Sequence, residues 1–264
     1  MAEPSAPAES FTCLIDRARD AVLAVGRVEL LFQAYREHAQ RWEGKLPDDL
    51  ALAMMRQALA ATALHLAAKA PDEFSAWTLN VKQPPLNVFV TGDNTARRIT
   101  GRVYTRDVKT VEESRLYFES QRPKRKPYRS VIKVEGWDVL DIFEQFYGRS
   151  EQLLSRLFEL EDGRFLLVQG LPRVKRAWLA GLAREELPGY LALAHEPVET
   201  RTYTFECGCD AQKILQVVRG LFAAKPEELF RGDPRVEVQC PRCGRKWTID
   251  RDEFGAGDAR LGFS

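Results

Sequence analysis

Histidine is scarce in this chain, three among 264 residues, and cysteine is little commoner at five. No Gly-rich phosphate loop, His-Glu-x-x-His or Gly-x-Ser-x-Gly occurs, so the corresponding nucleotide, metalloprotease and serine-hydrolase chemistries have no motif to rest on. Acidic pairs such as Asp252-Glu253 read as solvated surface, and the chain is not expected to be an enzyme. Charge of one sign is missing too. Lys and Arg number 39 against 38 Asp and Glu, a net charge of +1 that gives no global field for a polyanion. The longest apolar stretch, Leu50 to Ala70, carries Arg56, Gln57, His65 and Lys69 and is largely alanine, which predicts a buried helix and no membrane partner. The opening "MAEPSAPAES" lacks a basic start and apolar run, so about the first ten residues are expected to be a disordered tail with no targeting role. Few cysteines without a secretory leader point to a reducing, cytoplasmic location.

What is present begins with "AVLAVGRVELLFQAYREHAQRW", read as strand then helix with Val28, Leu31, Phe32 and Tyr35 on one face. Leu46 to Ala70 is the strongest helix, with Pro47 and two aspartates at its start. "FSAWTLNV", "PLNVFVTGDN" and "RRITGRVYT" are short β-type runs between turn signals, which suggests an antiparallel sheet. The basic run "QRPKRKPYR", Gln121 to Arg129, reads as a solvated loop, with anion or client contact as the alternative. A strand "SVIKVEG", a helix "WDVLDIFEQFY", a further helix "SEQLLSRLFEL" and an apolar strand "RFLLVQGLP" follow. The expected division is an N-terminal α+β domain over 1–172, a helical linker over 173–197, a small C-terminal α+β metal-binding domain over 198–256 and a tail over 257–264.

Four of the five cysteines lie in that last domain: Cys207-Gly208-Cys209, thirty residues, then Cys240-Pro-Arg-Cys243. Tetrahedral Zn²⁺ needs four soft or borderline ligands, and four thiolates meet that need without His38, His65 or His195, all of which lie outside the unit. His65, on an apolar helix, is expected to be a satisfied core histidine. Gly244 suits the positive φ that follows a knuckle, and Asp210 suits the N-cap of a helix with Ile214, Leu215, Val218, Leu221 and Phe222 inward. Arg242, Arg245 and Lys246 are placed to offset the charge of a zinc tetrathiolate. A purely structural ribbon usually employs two Cys-x-x-Cys knuckles. The Cys-x-Cys pair instead places two thiols where an oxidant could join them across Gly208, and loss of the thiolates would remove the metal that folds the module.

At these residues the sequence resembles the redox-regulated holdase family of the 33 kDa chaperonin. The resemblance rests on "FECGC", Phe205 to Cys209, and "VQCPRCGRKWTID", Val238 to Asp250, with weaker marks in "YGRSEQ" and "FLLVQGLP". It implies Zn²⁺ held by Cys207, Cys209, Cys240 and Cys243 in an inactive reduced form. Oxidation would then pair Cys207 with Cys209 and Cys240 with Cys243, release the metal and unfold the linker. It further implies ATP-independent binding of unfolded client proteins, stress response, and homodimers. Two features depart from the family pattern: the segment before "FECGC" is shorter than the usual linker, and "DAQK" follows the first pair. Val174, Trp178, Leu179 and Leu182 in the linker are the candidate client-binding residues. The alternative is a zinc-ribbon module with structural metal, its basic residues contacting nucleic acid; near-neutral charge argues against that partner.

Overall fold

Residues with one buried and one exposed face must share that face with a second layer, and both α+β layers are present in the computed structural model, which describes residues 7–193 and 195–255. Strands β1 (Ala8–Asp16) and β2 (Ala21–Gly26) precede helices α1 (Glu29–Glu43) and α2 (Asp49–Ala67). Strands β3 (Phe74–Val81), β4 (Leu86–Asp93), β5 (Arg98–Tyr104), β6 (Arg115–Gln121) and β7 (Tyr128–Lys133) are paired antiparallel, β6 crossing over to lie beside β3. Helix α3 (Val139–Phe146), a π-helical turn (Tyr147–Glu151), β8 (Ser155–Glu159) and β9 (Phe165–Gly170) complete the first part. Short helices α4 (Arg176–Gly181) and α5 (Leu187–Leu191) lead to β10 (Glu196–Phe205). The terminal part holds α6 (Ala211–Phe222), α7 (Pro226–Phe230), β11 (Arg235–Gln239), β12 (Lys246–Asp250) and α8 (Arg251–Gly255).

The first ten strands make one sheet in the order β7-β6-β3-β4-β5-β10-β1-β2-β9-β8, and β11 and β12 pair separately. Helix α2 starts where Asp48 accepts a hydrogen bond from Ala51 N, and it lies against the sheet with nearly its whole length buried. It is the one helix among the described residues long and apolar enough to cross a membrane, but its apolar surface is consumed by the core. Close approach of α2 needs glycine in the sheet. A Cβ at Gly92 would sit 2.2 Å from Leu66 Cδ1, and one at Gly101 would sit 2.5 Å from Met55 Cε. Trp77, Phe118, Phe143 and Phe146 fill the space between sheet, α2 and α3.

The opposite face of the β2–β9 half is covered by α4 and α5, where Leu179, Leu182, Leu187 and Tyr190 meet Leu23, Leu166 and Val168. Within the segment 173–197, expected to be a helical linker, α4 and α5 lie bedded on the sheet, and its last residues enter β10.

Three expectations are corrected. The chain is ordered from Ala8, not from beyond the tenth residue, because β1 is held on both sides by β2 and β10, with Ser10 Oγ 2.8 Å from Thr202 Oγ1; residues 1–6 lie outside the described residues. "SEQLLSRLFEL" is not a helix. Gln152 turns left-handed (φ 56°) and ends the π turn, after which buried Ser155, Leu157 and Phe158 are carried in a strand paired with β9. The strand "VETRTYTF", assigned to the small module, belongs to the large sheet, between β1 and β5, because Arg201 and Tyr203 fit the main core and its ladder partners are residues 8–15.

Candidate metal centre

Strand β10 delivers the chain to the first cysteine pair, and the bond from Glu206 N to Ile99 O (2.9 Å) pins the exit point to β5. Between Cys207 and Cys209 the backbone turns left-handed at Gly208 (φ 64°), tight against Arg98: a Cβ there would lie 2.4 Å from its Nη1. A side chain at position 208 is thus opposed both by its backbone and by its neighbour. Asp210 then caps α6, accepting from Lys213 N at 2.8 Å. The second pair sits in the loop joining β11 to β12. Cys240 N donates to Arg245 O (2.8 Å), Gly244 N donates to Cys240 O (2.9 Å), and Gly244 supplies φ 78°.

These two turns bring all four sulfurs within 4.8 Å of one another. Across the pairs, Cys207 Sγ lies 3.8 Å from Cys240 Sγ and Cys209 Sγ 3.7 Å from Cys243 Sγ. Four ligands about 2.3 Å from a central ion stand about 3.8 Å apart at the corners of a tetrahedron, so the residues present fit Zn²⁺. Cys240 and Cys243 are buried, and Cys207 and Cys209 half-buried. Hydrogen bonds from Cys207, Cys209 and Cys243 hold the Cys240 thiol far below its ordinary pKa, and the bond from Cys207 lowers Cys209 to about 7. The same sharing raises Cys207 and Cys243. Without a cation the cluster thus favours thiolate at Cys240 and Cys209 and the protonated thiol at Cys207 and Cys243. Cys13 lies apart in β1, buried, with its pKa raised by that burial.

A small core backs the sulfurs: Ile214, Leu215 and Val218 of α6 with Phe230, Ile249 and Phe254, the two rings 5.4 Å apart. Phe222 is partly buried there, but Leu221, expected inward, is 74% exposed because the stripe has rotated past it by the last turn of α6. The basic residues also find other partners than expected. Arg245 stacks over Trp247 (4.4 Å) and Trp42 (5.3 Å), Arg242 over Phe74 (5.6 Å), and Lys246 pairs with Glu237 (2.9 Å).

Several residues that hold the module carry no signal in the sequence. His38, at the end of α1, has Nε2 2.8 Å from the carbonyl of Cys243, and burial lowers its pKa. Tyr104 donates its hydroxyl to Pro241 O. Arg102 bridges Glu43 (2.8 Å) and Gln239 (3.1 Å). Aromatic and basic residues at element ends are common, and only the fold places these beside a knuckle more than a hundred residues away. Of the linker candidates, Leu179 and Leu182 are fully packed, and Val174 and Trp178 are partly buried on the same core, with Trp178 against Tyr190 and Arg19. They lie on the sheet and are not brought to the cysteines.

The sequence profile described as Hsp33 protein matches residues 33–250. A 33 kDa chaperonin of Nitrosococcus oceani is 28% identical over 164 residues, which cover 54% of this chain and 57% of that protein. One from Neisseria meningitidis serogroup B is 29% identical over 169 residues, covering 54% of this chain and 55% of it, so the chain spans little more than half the length of the curated relatives it matches. The crystal structure of the 33 kDa chaperonin from Thermotoga maritima superposes with a TM-score of 0.68 over 94% of this chain and 97% of that one, at 13% identity, which speaks for the fold. With the profile spanning most of the chain and the sulfur cluster at the matched end, the chain belongs to the Hsp33 family.

Proposed function

We propose that this chain is an ATP-independent holdase chaperone, kept inactive when reduced and activated by oxidation of its cysteine cluster. The observation that carries the reading is the convergence of Cys207, Cys209, Cys240 and Cys243 within 4.8 Å from two turns thirty residues apart. Zn²⁺ held there keeps the sulfurs as thiolates and lends its binding energy to a module whose own core is small. The proposed oxidation pairs Cys207 with Cys209 and Cys240 with Cys243. In each pair two thiolates become one disulfide, their two electrons reduce the O–O bond of hydrogen peroxide, and two protons taken from the solvent complete two waters. With the thiolates gone, the module loses its staple. Residues 173–197, which pass directly into β10 and so to Cys207, are the segment that we propose then lifts, uncovering the apolar surface under Leu179 and Leu182 for unfolding clients in a reducing, cytoplasmic setting.

The test is a peroxide titration of the purified, zinc-loaded chain with three parallel readings: metal released, free thiols, and light scattering of a heat-denaturing client. Loss of about four thiols with one metal, together with suppressed scattering, is the expected result. Metal loss with no suppression would reduce the cluster to a structural staple and end the chaperone-switch reading.

A further inference from the structure

Helices α4 and α5 are separated from Cys207 by the whole of β10, which is paired with β1 on one side and β5 on the other. Collapse of the small module reaches them only through a strand fixed in the sheet, so how readily they lift depends on their own anchors. Helices of six and five residues do not hold their shape alone, and Leu179, Leu182, Leu187 and Tyr190 supply the burial.

The polar anchors are unequal. Arg173 pairs with Asp20 at 3.0 Å, but its side chain is 87% exposed, and such a pair is worth little. Arg184 Nη1, also at the surface, donates to Glu159 O at 3.1 Å. Tyr190 Oη donates to buried Asp16 Oδ2 at 3.1 Å and secures α5. Helix α4 is secured from β8, the last strand on its side of the sheet, where Arg156 Nη1 donates to Ala180 O (2.8 Å) and to Leu182 O (3.3 Å). The carbonyls at the end of a helix have no partner inside it, and Leu182 is already extended (φ −61°, ψ 113°), so one guanidinium satisfies what the short helix leaves open. That guanidinium is itself held. Its Nε donates to Glu144 Oε1 at 3.2 Å, Glu144 accepts from Leu157 N at 2.6 Å, and the ring of Phe158 lies 4.9 Å away. Phe158 belongs to the core that α4 and α5 cover. A single side chain, only 27% exposed, thus ties α3, β8 and the end of α4 together.

We propose that Arg156, oriented by Glu144, is the positioning residue that sets how readily residues 176–182 lift from the sheet. Without it Leu179 and Leu182 are held by burial alone. The inference rests on the reading of this segment as the one that lifts, and it assigns the control of that step to a side chain outside the cysteine chemistry.

The test is amide hydrogen exchange, read by mass spectrometry on the reduced, zinc-loaded full chain. Arg156→Met keeps an apolar stem over Phe158 and removes the donors; it is expected to speed exchange over 176–191 about tenfold, with β9 unchanged. Arg156→Lys, whose ammonium can reach a carbonyl but lacks the planar fork that also engages Glu144, is expected to fall between the two. Glu144→Gln, which leaves Arg156 in place with a weaker hold on its direction, is expected to speed exchange by a smaller factor. Unchanged exchange over 176–191 in Arg156→Met overturns the proposal. So does an equal rise in β9, which would make Arg156 a strut of the sheet edge. Client scattering after peroxide separates this from the holdase reading: Arg156→Met is expected to suppress it at a lower temperature than the unaltered chain. Faster exchange with no suppression by either chain would sink the holdase reading and leave the role of Arg156 standing.

Discussion

His65 shows how one buried side chain can tie stability to pH. Its Nδ1 lies 2.9 Å from Tyr147 Oη and its Nε2 3.3 Å from Ser75 Oγ, with Glu73 Oε1 at 3.6 Å. Burial holds its pKa below the ordinary value, against the opposing pull of Glu73. The sign follows from linkage. As pH falls, the unfolded chain takes up the imidazole proton first, at about 6.5, so the unfolded state binds more protons and stability is lost on the acid side of that value. Above it His65 is neutral in both states and contributes no slope. The thermal midpoint is therefore expected to fall between pH 7 and pH 5, and the fall should be smaller in His65→Gln, as followed by calorimetry at both pH values. An identical fall in the variant would show that His65 is not the group responsible.

At the scale of elements, the contact between α1 and the β11–β12 loop carries a consequence for the metal. Trp42 stacks under Arg245, His38 bonds the carbonyl of Cys243, and Tyr104 bonds that of Pro241. None is a metal ligand, yet all hold the loop in the shape that presents Cys240 and Cys243. A guanidinium over an indole is worth about 1 kcal/mol, so Trp42→Ala is expected to speed metal transfer to a competing chelator about fivefold. The measurement is the rate of zinc capture by a coloured chelator, with all four cysteines intact. An unchanged rate would mean that docking on α1 lends the site nothing. The neighbouring α6 teaches a related lesson about reading helices. Its cap at Asp210 and its inner residues Ile214, Leu215 and Val218 follow from pattern alone, whereas Leu221 points outward and Phe222, next to it, packs on the core.

For the whole molecule, the division of the apolar residues matters most. Among the described residues there are three cores: one between the sheet and α1 to α3, one under α4 and α5, and one behind the sulfurs. The second shares the ten-stranded sheet with the first, whereas the last has only the β11–β12 pair to rest on. Stripping the metal with a chelator is expected to remove amide-exchange protection from α6, β11 and β12 by orders of magnitude, while β3, β4 and β5 keep theirs. Hydrogen exchange read by mass spectrometry on the chelated and loaded chain checks this. Uniform loss across both parts would show that the sheet also depends on the cluster, and no loss would show that the small core folds unaided.

The sequence by itself determined what local chemistry can decide. Cysteine spacing with glycine at 208 and 244 specified a four-sulfur centre, periodicity specified α2 and the β3 to β5 strands, and the motifs around both pairs specified the family. The tertiary structure alone decided where β10 pairs, that "SEQLLSRLFEL" runs as a strand, and that α1 and β5 cradle the loop of the second pair. Local patterns fix a residue's preferred backbone and its buried side. Distant partners such as Ser10 and Thr202 in the β1–β10 ladder, or His38 and the carbonyl of Cys243, are chosen by packing across nearly the whole chain, where no local preference distinguishes one neighbour from another.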